Sequence, residues 1–387
     1  MWWFQSPKIV FGEDALEVLK DLEGKKVFIV TDKTVRSLGY VDMVSNYLKK
    51  AGIDIEVFDG VEPELPIENV MEGAKLIRKI APDWIVGLGG GSCMDAAKAI
   101  WVLYERPDIK LEGISPLVEL GLRKKARLIC IPTTSGTGSE ASWAAVITNK
   151  KERFKLEVAS REFYPDLSIV DPKLAVEMPK KLIADSGIDV LITAVEAYVN
   201  QWRNDFADAM AIKAIQLTVR YLPRAYENKN DIEAREKMHY AATMAGMAFS
   251  NSQVGVAHAM GHSFGAVFKI PHGRATAVFF PYSIEFGVKE AGERYAEIAK
   301  TIGIEAKSVE EAVEKLVDTI KGLMKKIGEP LSVKEMEIKW EDYHQKLDEL
   351  VAKAGMSTCN FLNPRVASNE ELRKLFTYAF DGRTIDF

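Results

Sequence analysis

The sequence is poor in cysteine, in histidine and in long apolar runs. Its three cysteines, Cys93, Cys130 and Cys359, include no Cys-x-x-Cys pair. A disulfide framework is thereby excluded, and a reducing, cytoplasmic setting is the expectation. No stretch reaches about 18 uncharged apolar residues, so no membrane-spanning helix is expected. The opening Met1-Trp2-Trp3-Phe4-Gln5-Ser6-Pro7 lacks the basic-then-apolar order of a secretory signal. A basic excess is missing too. With 51 Lys and Arg against 56 Asp and Glu the net charge is −5, which argues against nucleic acid, whose phosphates demand neutralisation. No repeat or low-complexity tract is visible, and a hydrophobic share of 47% is too high for a disordered chain.

What is present is an ordinary globular composition over 387 residues, enough for two or three domains. In the first half, short apolar strands at 26–32, 55–58, 84–86 and 128–131 alternate with helical stretches. One stretch runs to about 50 and stops at Gly52; others cover 67–80 and 95–103. That alternation implies a mostly parallel sheet covered on both faces. From about 179 onward the periodicity is helical, with apolar stripes over 205–222, 232–249, 291–302 and 309–327. The expected architecture is an α/β dinucleotide-binding domain over 1–178 followed by an all-helical domain over 179–387.

Gly87-Leu88-Gly89-Gly90-Gly91-Ser92 leaves a strand and opens a helix. Glycines there let the backbone approach a pyrophosphate closely, and the helix N-terminus offers free N–H groups and a positive dipole end. The last position of Gly-x-Gly-x-x-Gly is Ser92, so the run also reads as a plain strand-to-helix turn. Asp32 ends the first clear strand. A carboxylate at such a place accepts ribose hydroxyls and repels a 2′-phosphate, favouring NAD over NADP; it equally suits a helix N-cap. Pro132-Thr133-Thr134-Ser135-Gly136-Thr137-Gly138-Ser139-Glu140 lies after the fourth strand, at the sheet edge where open α/β folds bind ligands.

Three of the five histidines cluster: His258 and His262, four apart on one helix face, and His272, ten residues on. Their apolar surroundings predict burial, and buried imidazoles need partners, metal ligation among them. Asp189 sits in another apolar helical run, where it demands a cation or hydrogen-bond donors. Its alternative role is capping that helix, with Glu196 bonding to a neighbouring loop.

Taken together, Gly89-Gly90-Gly91-Ser92 with Asp95 and Lys98, the 132–140 loop, Gly187-Ile188-Asp189, Phe249-Ser250-Asn251 and the three histidines resemble the iron-dependent alcohol dehydrogenases in order and spacing. The resemblance runs from about Phe11 past Asn363-Pro364-Arg365. It implies the dehydroquinate synthase-like pairing of a dinucleotide-binding domain with a helical domain, a divalent metal in the cleft, and hydride transfer between an alcohol or aldehyde and NAD(P). By position it implies Asp189, His258 and His272 as metal ligands and His262 beside the substrate. Asp32, Gly89, Gly90, Gly91, Ser92, Asp95, Thr133, Thr134, Thr137 and Lys155 would line the cofactor, and Phe249 the substrate pocket. A homodimer is implied as well.

Three positions depart from the family pattern. Thr193 stands where a fourth ligand, His, is usual, leaving a three-ligand set like that of the related glycerol dehydrogenases and dehydroquinate synthases. The metal could then be Fe2+ or Zn2+. Glu64-Leu65 replaces Asn-Pro, and Ala144 replaces Asn. A polyol dehydrogenase and a non-catalytic NAD-binding protein are the competing readings.

Overall fold

The computed structural model describes residues 3–150 and 154–387, and the chain divides into two units, 5–177 and 178–387 with the first four residues. In the first unit, six strands form one sheet: β1 (Lys8–Phe11), β2 (Lys26–Val30), β3 (Asp54–Phe58), β4 (Trp84–Gly89), β5 (Arg127–Pro132) and β8 (Leu167–Val170). Their order is β1-β8-β5-β4-β2-β3. Every neighbouring pair is parallel. A separate antiparallel hairpin pairs β6 (Ala144–Asn149) with β7 (Phe154–Ala159).

The central strands are apolar throughout because both faces are covered, as parallel sheets require. Val27, Ile29, Val86 and Ile129 pack on one face, against the helical residues Leu16, Leu19, Val44 and Leu48. Phe28, Val30, Ile85 and Leu128 pack on the other, against residues from the helices Ile67–Ile80 and Gly91–Glu105. Strand order reverses between β2 and β4. The chain goes outward from β2 to β3, then returns to β4 and proceeds the other way to β5. The carboxyl ends of β2 and β4 therefore flank a crevice of the kind in which open α/β sheets bind nucleotides.

The second unit is helical. The long helix Lys180–Val199 is its hub, with residues 187–199 all buried. The helices Asp205–Glu227, Ile232–Asn251, His272–Ala277 and Phe280–Thr301 pack around it. The expected fold class, an α/β part built on a mostly parallel sheet followed by a helical part, is what the chain adopts. Some boundaries differ from the sequence reading. The helix expected from 95 begins at Gly91, so the glycine run spans the end of β4, the N-cap Gly90 and the first helical residue. The helix expected from 291 begins at Phe280 and kinks at Ala291, whose φ of −131° is non-helical; the sequence pattern registered only the half after the kink. Strands β1, β6, β7 and β8 went unseen.

Candidate metal centre and cofactor cradle

In the first unit the glycine run is shaped by what leaves no room for side chains. Gly89 has φ +147°, and a Cβ there would lie 2.6 Å from Cys93 Sγ. A Cβ on Gly91 would lie 2.9 Å from Thr137 Oγ1. Strand β4 thus turns into its helix with the 133–139 loop pressed against the first turn. Thr133 N donates to Gly89 O at 2.9 Å, which ties the two loops side by side. The leading N–H groups of the Gly91–Glu105 helix have no acceptor within the helix and point out of its positive end. This is a cradle suited to a pyrophosphate.

Across the crevice, Asp32 caps the helix Lys33–Ser37: Oδ1 accepts from Val35 N at 2.8 Å, and Oδ2 accepts from the Cys93 thiol at 3.3 Å. The strand-end and cap roles are thus compatible, since the carboxylate stays partly exposed. Burial first, and then the neighbouring Asp32, push the Cys93 thiol well above its ordinary range, so it is a donor and no nucleophile. Asp95 is differently employed. Its oxygens accept from Ser139 Oγ (2.6 Å) and from Val146 N (2.9 Å). Lys98, fully buried one turn on, donates to Ser139 O (2.7 Å), Ser139 Oγ (3.0 Å), Ser142 Oγ (3.0 Å) and Ala144 O (2.9 Å). Burial shifts both groups toward neutrality, Asp95 upward and Lys98 downward. The pair anchors the loop and hairpin on the helix. Lys155, on β7, forms an ion pair with Glu64 at 2.6 Å, at the very position where Glu-Leu replaces Asn-Pro. Ser92 and Thr134 are half-buried beside this cradle, and Thr137 is exposed on it.

In the second unit, Asp189 lies in the middle of the Lys180–Val199 helix, far from its N-cap at Pro179, which removes the capping alternative. It meets the two histidines expected with it. Asp189 Oδ1 is 3.6 Å from His258 Nε2 and 3.5 Å from His272 Nε2. Asp189 and His258 are buried; His272 is half-buried. Local structure explains the meeting. His258 opens the helix Val256–Phe268, and His272 is the first residue of the next helix, only three residues after it ends. Gly261 lets the two helices touch, since a Cβ there would stand 2.7 Å from Thr276 Cα.

Glu196, two turns beyond Asp189 on the same helix, organises the histidine. Its Oε2 accepts from His258 Nδ1 at 2.6 Å and Gly255 N at 2.7 Å, and its Oε1 accepts from Ala257 N at 2.7 Å. Asn363 Oδ1 takes Val256 N at 3.0 Å. Gly255 has no side chain with which to cap its helix, so two distant residues do it, and the Glu196 charge complements the helix dipole. An ionised carboxylate accepts only, so Nδ1 must carry the proton and Nε2 presents its lone pair toward Asp189. Thr193 Oγ1 lies 3.5 Å from that same Nε2. The His262 ring stands 5.8 Å from the His258 ring and 5.1 Å from the His272 ring. Phe249 ends the helix Ile232–Asn251, half-buried on the apolar cluster built around Met260, Phe264 and Phe279.

The donor set fits a divalent cation. One carboxylate oxygen and two imidazole nitrogens, all within 4.8 Å of one another, match the roughly 3–3.5 Å spacing imposed by bonds of about 2.0–2.2 Å. Such a set suits iron or zinc.

Comparison with known proteins agrees with this reading. The family description "Iron-containing alcohol dehydrogenase" matches residues 6–172, and "Fe-containing alcohol dehydrogenase family, C-terminal" matches 183–380. The chain belongs to the iron-containing alcohol dehydrogenase family. Membership carries NAD(P)-dependent alcohol dehydrogenase activity. The chain is 42% identical over 390 residues to the NADPH-dependent butanol dehydrogenase of Clostridium saccharobutylicum, covering 100% of both. It is 38% identical to aldehyde-alcohol dehydrogenase 2 of Entamoeba histolytica, covering 98% of this chain but only 46% of that longer one. The crystal structure of a 1,3-propanediol oxidoreductase superposes with a TM-score of 0.91 at 34% identity, covering 98% of this chain and 100% of that one.

Proposed function

We propose that the chain interconverts primary alcohols or small diols with their aldehydes, using NAD and a divalent metal held by Asp189, His258 and His272. The observation that carries this is the convergence of Asp189 Oδ1 with the two Nε2 atoms at 3.5–3.6 Å, with Glu196 fixing the tautomer of one of them. A cation held there supplies Lewis-acid chemistry, lowering the pKa of an alcohol oxygen. The chain's own residues do the rest. Asp189 contributes the negative charge, and the imidazoles orient the site. His262, half-exposed beside them, passes the alcohol proton to solvent. In the other unit, Gly89, Gly90, Gly91 and Ser92 bind the pyrophosphate, Thr133, Thr134 and Thr137 wall the cofactor, and Asp95 holds that wall in place. Asp32 takes the ribose hydroxyls and disfavours a 2′-phosphate. Lys155 lines the cofactor while neutralised by Glu64, and Phe249 lines the substrate pocket.

The test is cofactor reduction by a panel including ethanol, butanol, propanediols and glycerol, on chelator-stripped protein and after anaerobic addition of Fe2+ or Zn2+. Activity returning with one metal supports the reading. Cofactor binding without turnover under any metal refutes it in favour of a non-catalytic role. Thr193 favours a second reading, a polyol dehydrogenase with a three-ligand site, which preference for glycerol in that panel would select. A cytoplasmic homodimer belongs to the same proposal. The cytoplasmic part is supported by three free, buried cysteines, which suit a reducing compartment. Sizing by light scattering tests the dimer.

A further inference from the structure

Behind the proposed ligands lies a second buried charged cluster. Asp185 precedes Asp189 by one helical turn, so both project from one face of the Lys180–Val199 helix. Arg274 follows His272 by two residues on the short helix His272–Ala277. Glu329 comes from a third element, just past Gly328, the cap of the helix Val309–Ile327. Arg274 Nη1 lies 3.6 Å from Asp185 Oδ1 and 3.6 Å from Glu329 Oε2, and the Glu329 side chain has no exposed surface.

With both carboxylates ionised, Glu329 Oε1, Glu329 Oε2 and Asp185 Oδ1 would be buried without a hydrogen-bond donor. One guanidinium would face two negative charges. A single proton held between the carboxyls makes the cluster neutral and supplies an O–H donor that joins one Glu329 oxygen to Asp185. Consistently, the Glu329 carboxyl is pushed up to about 8 by burial first, then by its hydrogen bond with Asp185 and by the Asp185 charge, against the pull of Arg274 and Lys181. Between His272 and Arg274 sits Gly273, where a Cβ would fall 2.0 Å from Asp185 O. The segment carrying His272 is therefore seated directly on the Asp185 turn, and Arg274 grips the side chain of that turn.

We infer that Asp185, Glu329 and Arg274 form a positioning clamp that seats His272 against Asp189, so that metal retention depends on residues that do not ligate the metal. The inference rests on the ligand assignment above. Glu329 serves as the neutral hydrogen-bonding member, a task an amide can perform.

The experiment is titration of the metal-free full-length protein with Co2+ alone, read by its visible absorption and by chelator competition, with melting temperature recorded for each variant. Removing the clamp with Glu329→Ala, or loosening it with Arg274→Lys, should weaken Co2+ binding about 10–100-fold, the usual scale for residues that orient ligands. Glu329→Gln should restore near wild-type affinity and spectrum. A folded Glu329→Ala protein with wild-type affinity overturns the clamp. So does Glu329→Gln as weak as Glu329→Ala. If Glu329→Ala does not fold, wild-type affinity in Arg274→Lys overturns it. His272→Ala separates the two levels: Co2+ binding that survives His272→Ala refutes the ligand assignment, whereas binding lost there but kept in the clamp variants refutes the clamp alone.

Discussion

Replacing Glu196 with Gln changes one oxygen to an NH2 group and should weaken the proposed metal centre while leaving its three proposed ligands in the sequence. The carboxylate accepts three short hydrogen bonds, from Gly255 N, Ala257 N and His258 Nδ1, with the residue 3% exposed. A glutamine oxygen placed at Oε2 keeps Gly255 and His258, but its NH2 then faces Ala257 N, donor against donor. The reverse placement sets the NH2 against both Gly255 N and His258 Nδ1. The imidazole then moves its proton to Nε2, the very atom that points at Asp189. In either arrangement at least one buried donor is stranded, at a cost of about 1–3 kcal/mol, and the helix loses a charge at its N-terminus worth up to about 1 kcal/mol. Even where the amide oxygen keeps His258, a neutral acceptor replaces the anion that orients the ring and raises its basicity, at about 10–100-fold in metal affinity. The assay is chelator competition with Zn2+ and a melting curve, side by side with wild type. A Glu196→Gln protein that binds Zn2+ within threefold of wild type and melts at the same temperature would refute the carboxylate's orienting and capping roles together.

Other expectations follow from the same geometry. Asp32→Asn retains an acceptor for Val35 N but removes the charge, so kcat/KM for NADP+ relative to NAD+ should rise about tenfold or more; an unchanged ratio places the ribose elsewhere. Gly91→Ala puts a Cβ 2.9 Å from Thr137, and should raise the KM for the cofactor without affecting Zn2+ binding by the other unit. Thr193→His points a third imidazole at the ligand atoms and should slow stripping of the metal by chelator about tenfold or more. A free glutamate ionises near 4.5, whereas the Glu329 carboxyl of the folded chain is pushed up to about 8. Between those values the native state holds a proton that the unfolded chain has released, so this group's contribution is full below about pH 4.5 and is lost as pH rises through 8. Melting temperatures of wild type and Glu329→Gln should therefore converge at low pH, with wild type falling more steeply toward pH 8.5; parallel profiles would contradict the shared proton.

Of the four strands read from the sequence, three are central strands covered on both faces, while β3 lies at the sheet edge with alternating burial; the buried four-residue β8 was not read. β2, β4 and β5 read as short continuous apolar runs because, past the exposed Lys26 and Arg127 that open β2 and β5, every residue on them is buried. β1 was opaque for the opposite reason: its four residues lie at the sheet edge, none fully buried, with Phe11 67% exposed. β6 carries a weak inside–outside alternation that a period-two scan would have caught. At the site, His258 and His262 announced themselves by helical spacing, and His272 by proximity along the chain. Glu196 was visible as a polar residue in an apolar helix, but only as a loop-bonding one. Its seven-residue offset from Asp189, two helical turns, was the available signal. The clamp offered no such signal, because Asp185, Arg274 and Glu329 come from three separate helical segments and become neighbours only through tertiary packing. Lys98 was noticed as a motif member, yet its four acceptors belong to a loop and hairpin some forty residues away.

The Lys180–Val199 helix carries Asp185, Asp189, Thr193 and Glu196 along one stripe. That makes it a ruler as well as a scaffold. Exchanging a side chain alters one mark on the ruler and leaves the others in register, which is how a Thr can occupy a His position while the remaining ligands still converge. Adding or deleting a single residue after Leu191 would turn everything downstream by about 100°, carrying Glu196 away from His258 while Asp189 stayed put. The helix can therefore accept a substitution at one of these marks, but not a change in its length between them.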